Sequence, residues 1–186
     1  QVFDTTPTTF VVSSNLDTYE YHQFVKRFQD LKKCFGDTYK EKVPAKHCQQ
    51  NMWMVKPANE NQGKGIKIFN DMGDHQVPRL VGPLLILGHL ENLERPLLYK
   101  GRKFDIRVWA VALSNQDFFF CNIGYIRTSS FEYKAENLHD EYIHLTNNCL
   151  QMKDSQNYGK HEQGNTVSLE EFQQFLEEEY GHYGLD

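Results

Sequence analysis

The sequence predicts an α+β fold in which antiparallel strands are flanked by helices, and three patterns carry that prediction. Amphipathic helix signals stand near both ends of the chain, around Tyr21 and Leu31 and again around Leu169 and Tyr180. Between them lie two pairs of strand-like segments, each joined by a turn-rich link, as hairpins require. The bulk numbers allow this: 186 residues with 39% hydrophobic and 13% aromatic side chains can bury a substantial core. A negative mean hydropathy leaves generous polar loops.

In chain order, residues 10–12 form an extended opening. Asp17 and Glu20 then stand three apart like a capping box, and Tyr21, Phe24, Phe28 and Leu31 repeat at helical spacing, so a helix ending near Cys34 is expected. Residues 35–51 are polar, with Gly36 and Pro44 as breakers. The chain is therefore divided into an N-terminal helix with its connecting segment, 1–51, and a second region, 52–186. Residues 52–56 and 66–69 read as strands joined through a glycine-bearing loop. A further loop, 70–82, leads to the buried-looking run 84–87, and a polar connection reaches Pro96.

Residues 102–113 alternate more clearly than any other stretch. Phe104, Ile106, Val108 and Ala110 are expected to face a core, and Lys103, Asp105, Arg107 and Trp109 the other side. A turn at 114–117 leads to an antiparallel partner at 118–126, which delivers Arg127 to its end. Later, Ser168 and Glu171 make a second capping box ahead of a stripe of Leu169, Phe172, Phe175, Leu176 and Tyr180, read as core.

Several functions are disfavoured at once. A formal charge of -5 argues against general nucleic-acid binding, although Arg95, Lys100, Arg102, Lys103 and Arg107 crowd a stretch that could meet an anion. No apolar run approaches the roughly 20 residues that cross a bilayer, and the N-terminus lacks the order of a signal peptide, so no membrane partner and a cytoplasmic location are expected. Cys34, Cys48, Cys121 and Cys149 are scattered and read as reduced thiols, some of them core. His47 and Cys48 have no second pair to make a metal site and receive no role. The start at Gln1 and the stop at Asp186 suggest a fragment or an incomplete gene product.

Three segments could carry chemistry. Lys103, Asp105 and Arg107 would stand in a row roughly 7 Å apart, twice the strand rise. Such a row is either a solvated strand face or a site for a nucleoside triphosphate with its magnesium. Lysine neutralises phosphate, the planar arginine fork binds oxyanions, and aspartate is a hard oxygen ligand. Gln62, Gly63, Lys64 and Gly65 lie between two strands, which is neither a P-loop nor a Rossmann turn. They form either a tight turn that needs glycine or a flap whose N–H groups close on phosphates, with Lys56 in reach of the same phosphates. His144, Leu145, Thr146, Asn147 and Asn148 hold hydrogen-bonding groups suited to ribose, phosphate or an amino acid, and taken alone read as a turn or cap.

The succession WMVKP, NQGKGIKI, PLLYKGRKFDIRVW, GYIRTSS, HLTNNCLQ and NYGKHEQGNTVSLEEFQQFL resembles the tubulin tyrosine ligase family, with its polyglutamylating and polyglycylating relatives, in the ATP-grasp superfamily. The resemblance runs from about Met52 to Leu176, and the N-terminal third matches loosely. It implies ATP-grasp-like antiparallel sheets with flanking helices, incomplete at the C-terminus. It also implies an ATP-dependent ligase that joins a free amino acid to a protein carboxylate through an acyl phosphate, most often on tubulin or microtubules, in the cytoplasm, on the cytoskeleton or in cilia. Such chemistry rests on charge neutralisation and alignment.

By the same resemblance Lys56 would contact ATP phosphate, and Gly63, Lys64 and Gly65 would form the phosphate flap. Lys103 and Asp105 would position nucleotide and Mg²⁺, with Asp105 a metal ligand, and Thr146 and Asn147 would line the nucleotide pocket. Arg107 and Arg127 would be catalytic, stabilising transferring phosphate or holding a substrate carboxylate; Asn148 and Cys149 would meet the incoming amino acid. Two departures stand out. Glu91 falls where relatives carry a nucleotide-facing lysine, a charge reversal that disfavours an ATP anion. The family's downstream acidic metal ligand and Glu-x-Asn motif are also missing, and Asp105 by itself would not hold magnesium productively. The alternative is therefore a weakened member that binds tubulin or nucleotide without turnover; a third reading is a ligase acting on a different carboxylate. Residues 158–165 look more like the tyrosine-adding than the glycine-adding members, which does not fix the amino acid.

Overall fold

The computed structural model describes residues 8–12, 17–34, 51–73 and 96–181, together with the backbone of Leu84–Gly88. The chain divides into two compact units, Gln1–Pro96 with Ala135–Glu141, and Leu97–Lys134 with Tyr142–Asp186. Both are built from antiparallel sheet and helix, the α+β class expected.

In the first unit, β1 (Thr9–Val12), β2 (Trp53–Pro57), β3 (Lys67–Phe69) and β4 (Leu84–Gly88) form one sheet in the order β1-β4-β2-β3. Trp53 stands opposite Phe69 in the β2–β3 hairpin and opposite Gly88 on its other side. Alternation along β2 sends Trp53 and Val55 into a core with Val12, Phe69 and the stripe Phe24, Phe28 and Leu31 of α1 (Tyr19–Cys34). Phe24 meets Trp53 edge-on, with ring centroids 4.9 Å apart. Asn51 fastens the helix to the strand: its Nδ2 donates to the Phe28 carbonyl at 3.1 Å, and its Oδ1 accepts from Trp53 Nε1 at 2.7 Å. Because β1 pairs with β4 and α1 packs on β2 and β3, the N-terminal segment shares a core with the first hairpin. The first helix and the first hairpin thus fall in one compact unit, since a two-stranded hairpin needs further strands or a helix to bury its face.

The start of α1 also differs from expectation by one residue. Thr18 Oγ1 accepts from the Tyr21 N–H at 3.3 Å, while Asp17 pairs with the His22 ring and Glu20 accepts from the Val11 N–H. Thr18 immediately precedes the first helical residue, so its hydroxyl has the reach that Asp17 lacks.

The second unit pairs β5 (Arg102–Ala112) with β6 (Phe118–Glu132). The short helices α2 (Glu141–His144) and α3 (Asn148–Gln151) follow, then β7 (Thr166–Ser168) and α4 (Leu169–Tyr180). The sheet order is β5-β6-β7, and α4 packs Phe172 onto Tyr99, Ile126 and Val167. Ser168 Oγ accepts from the Glu171 N–H at 3.0 Å, as the capping box requires, but the Glu171 carboxylate turns to the Tyr99 hydroxyl at 2.9 Å. β6 runs six residues beyond its expected end, so Arg127 lies within the strand, directly opposite Asp105.

A second correction concerns the apolar face of β5. Phe104 packs on Phe172 at 4.7 Å, but Ile106 and Val108 are 52% and 54% exposed. β7 pairs only with Tyr125, Ile126 and Arg127, so the cover it shares with α4 stops before the outer part of the hairpin. The register slips twice, between Arg102 and Phe104 and between Val108 and Ala110. At the first slip Arg102 pairs with Glu132 and Phe104 with Thr128, leaving Lys103 opposite three residues of β6. Gly124 is required where β6 runs close to its partner, since a Cβ there would come 2.7 Å from the Arg107 carbonyl oxygen.

Candidate functional site

The charged face of β5 builds a site around Asp105. Pairing across the hairpin puts Arg127 opposite, and Arg127 Nε donates to Asp105 Oδ1 at 2.8 Å. From the loop between α2 and α3, Thr146 Oγ1 donates to Asp105 Oδ2. One carboxylate thus joins two strands and a loop. Arg107, two residues along β5, is exposed on the same face.

Lys103 is the most unusual group. It is 7% exposed, and among the described residues no carboxylate forms an ion pair with it; its Nζ lies 6.0 Å from the centre of the Tyr133 ring. Burial pushes its pKa down from 10.5 to about 8. An ammonium in such a place is stabilised by any anion brought beside it.

The loop after α2 is tied to the start of α3 through the backbone. The Asn147 carbonyl accepts from the Leu150 and Gln151 N–H groups at 2.9 and 3.0 Å, while its side chain makes no cap bond. Asn148 Oδ1 is buried without a hydrogen-bond partner among the described residues, and Cys149 is exposed. Cys121 is exposed as well; Cys48 and the side chain of Cys34, the other thiols among which a core position is expected, lie outside the described residues. Glu91 lies outside them too.

Lys56 and the glycine loop belong to the other unit. Lys56 is half-buried on the face of β2 opposite Trp53 and Val55, and burial lowers its pKa. The loop takes left-handed backbone at Gln62, Gly63 and Gly65, with φ of 58°, 84° and 68°. A Cβ at Gly65 would meet Pro57 Cγ at 2.8 Å, so this glycine is fixed by both conformation and space. Gly63 is buried and Lys64 exposed.

A family model described as the Tubulin-tyrosine ligase family matches residues 3–184. The chain belongs to that family. Tubulin glycylase 3B of Tetrahymena thermophila is 33% identical over 179 residues, which are 91% of this chain and 15% of that protein. Tubulin glycylase 3A of Drosophila melanogaster is 35% identical over 113 residues, 56% of this chain and 11% of that protein. A tubulin polyglutamylase of Caenorhabditis elegans is 30% identical over 131 residues, 66% of this chain and 16% of its own length. The chain therefore spans a small part of these relatives, and their names are of glycine- and glutamate-adding proteins rather than tyrosine-adding ones.

Within this member of the tubulin-tyrosine ligase family, part of the basic stretch is structural. Arg102 is 3% exposed and forms a two-pronged pair with Glu162, one arm at 2.8 Å, and donates to the Ser129 carbonyl at 3.1 Å. Lys100 Nζ lies 3.9 Å from Glu171. Neither was separable from Lys103 in the sequence, because their partners lie about 60 to 70 residues away in the chain. Gln151, Ser130 and Asn165, which tie this loop to β6, give no stronger signal in the sequence, since Gln151 and Asn165 meet Ser130 only across 21 and 35 residues. Their one local trace is polarity beside family motifs: Gln151 closes HLTNNCLQ and Ser130 closes GYIRTSS.

Proposed function

We propose that the chain carries part of the nucleotide site of an ATP-dependent ligase that joins a free amino acid to a carboxylate of tubulin. The observation that supports this best is Lys103: a buried ammonium with no ion-pair partner among the described residues, two positions along β5 from Asp105. Holding it there is costly unless an anion repays the desolvation. A polyphosphate does so, and Arg107 and Arg127 add planar forks on the same face.

In this reading an oxygen of the acceptor carboxylate attacks the γ-phosphorus of ATP, and ADP leaves. The amine of the amino acid then attacks the acyl carbon, the C–N bond forms, phosphate departs, and the amine gives up a proton. Lys103 neutralises the polyphosphate, Arg127 and Arg107 stabilise the transferring phosphoryl group or hold the acceptor carboxylate, and Thr146 and Asn147 line the nucleotide side. Asn148 Oδ1, a buried acceptor without a donor among the described residues, suits an N–H of the incoming amine. Lys56 and the turn of Gly63, Lys64 and Gly65, which belong to the other unit, are assigned to phosphate by the family resemblance alone. Mg²⁺ supplies charge neutralisation on the phosphates. Asp105 fits as one carboxylate ligand of a phosphate-held ion, since two of its lone-pair positions are spent on Arg127 and Thr146.

Membership of its family accords with action on the cytoskeleton, in the cytoplasm or in cilia. Among the described residues no helix is long and apolar enough to cross a membrane. The second reading, a member that binds tubulin or nucleotide without turnover, is favoured by Glu91. Incorporation of labelled glycine, glutamate or tyrosine into tubulin by the whole protein separates the two. The first reading expects incorporation that Arg107→Ala abolishes with the fold intact; incorporation by neither protein favours the second, and equal incorporation by both removes Arg107 from the site.

A further inference from the structure

We infer that Gln151 is a positioning residue that sets the Thr146 loop against the register slip facing Lys103, and so holds the phosphate-binding face in shape. The inference rests on the nucleotide reading above. Gln151 is fully buried, and every polar atom of its side chain is used. Its Oε1 accepts from the Ser130 N–H at 3.0 Å and from the Ser130 hydroxyl at 2.6 Å; its Nε2 donates to the Tyr142 carbonyl at 3.1 Å and to the Leu145 carbonyl. The amide is thereby oriented without ambiguity, because only its oxygen can meet the Ser130 N–H.

Both ends of this bridge touch the site. Leu145 immediately precedes Thr146, whose hydroxyl holds Asp105. Ser130 lies in the three-residue slip of β6 opposite Lys103. The slip is pinned from its other side by Asn165, whose Nδ2 donates to the Thr128 carbonyl at 3.1 Å and to Ser130 Oγ at 2.9 Å. Asn165 Oδ1 in turn accepts from the Gly159 N–H at 2.7 Å. A continuous donor-to-acceptor chain therefore runs from Gly159 through Asn165, Ser130 and Gln151 to the loop, with each bond supporting the next.

Two measurements test this. Gln151→Met keeps the side chain's length and removes its four bonds. In the absence of nucleotide, amide exchange over residues 145–149 should quicken about tenfold or more while α4 stays protected. Unchanged loop exchange overturns the inference. Should Gln151→Met also lose protection in α4, Ser130→Ala decides, since it removes the hydroxyl bonds alone: faster loop exchange supports the inference and unchanged exchange overturns it. The second measurement is the affinity of Mg-ATP for Gln151→Glu relative to wild type at each pH. A glutamate keeps the acceptors for Ser130 but sets oxygen against two carbonyls, so its protonated form is favoured there. Affinity should be about tenfold below wild type near pH 8 and approach it near pH 6, whereas Gln151→Met shows no recovery. A loss independent of pH overturns the positioning role. Failure of wild type to bind Mg-ATP counts against the nucleotide reading, while the exchange measurement still decides what Gln151 does to the loop.

Discussion

The two halves of the β5–β6 hairpin invert the usual rule of burial. At the inner half Arg102, Lys103, Thr128, Ser129 and Ser130 are all buried. At the outer half Val111, Phe118, Phe119, Phe120 and Ile123 are between 50% and 75% exposed. The difference is one of supply. The inner half is wrapped by α4, β7 and residues 142–165, which bring Glu162, Asn165 and Gln151 to its polar groups, whereas β7 pairing reaches no farther than Tyr125. Buried polar groups are tolerable only when paired. Lys103 stands out because it is buried, though at 7% exposure a little less deeply than its neighbours, and lacks their ion pair or hydrogen bonds among the described residues, which is the ground for proposing that it meets a ligand.

The comparison can be broken most forcefully at Glu162. Glu162→Ala strands the Arg102 guanidinium in the interior and should destabilise the chain by about 3–5 kcal/mol, read as a denaturation midpoint; a loss comparable to a surface substitution would show that the inner half is not held by this pair. Lys103→Met should act in the opposite direction. At pH 7 it should stabilise by up to about 3 kcal/mol, since a lysine whose pKa is about 8 folded and 10.5 unfolded disfavours folding wherever it is charged. The sign follows from proton counting: between pH 8 and 10.5 the unfolded wild type holds the extra proton, so wild-type stability rises across that window. Lys103→Met lacks this rise, and the advantage of the variant should fade toward pH 10.5. Destabilisation at pH 7 would mean that Lys103 is paired after all. The smallest effect belongs to the outer half, where Phe120→Lys should change stability by no more than about 0.5 kcal/mol; a large loss would reveal a cover for that face.

Period and polarity made much of this legible. The stripes of α1 and α4, the Ser168 cap, the β2–β3 hairpin and the antiparallel pairing of β5 with β6 all follow from local spacing, whereas the place of Arg127 within β6 does not. What failed depends on distant partners. Alternation predicted a core under Ile106 and Val108, but alternation reports two faces without saying what covers either. The cluster of basic residues predicted an anion site without separating Arg102, neutralised by Glu162, from Lys103. Gln151 and Asn165 look like ordinary polar residues until the slip in β6 brings Ser130 between them.

Whether Lys103 is held charged for a polyphosphate is read from titration of Mg-ATP into wild type and Lys103→Met between about pH 6.5 and 9.5. Phosphates beside the lysine favour its charged form, so binding should take up a proton and weaken as pH rises through about 8. Lys103→Met should bind at least about tenfold more weakly at the acid end, with a flat profile over the same range. Equal affinities for the two proteins, or no binding by the wild type, would show that Lys103 meets no polyphosphate.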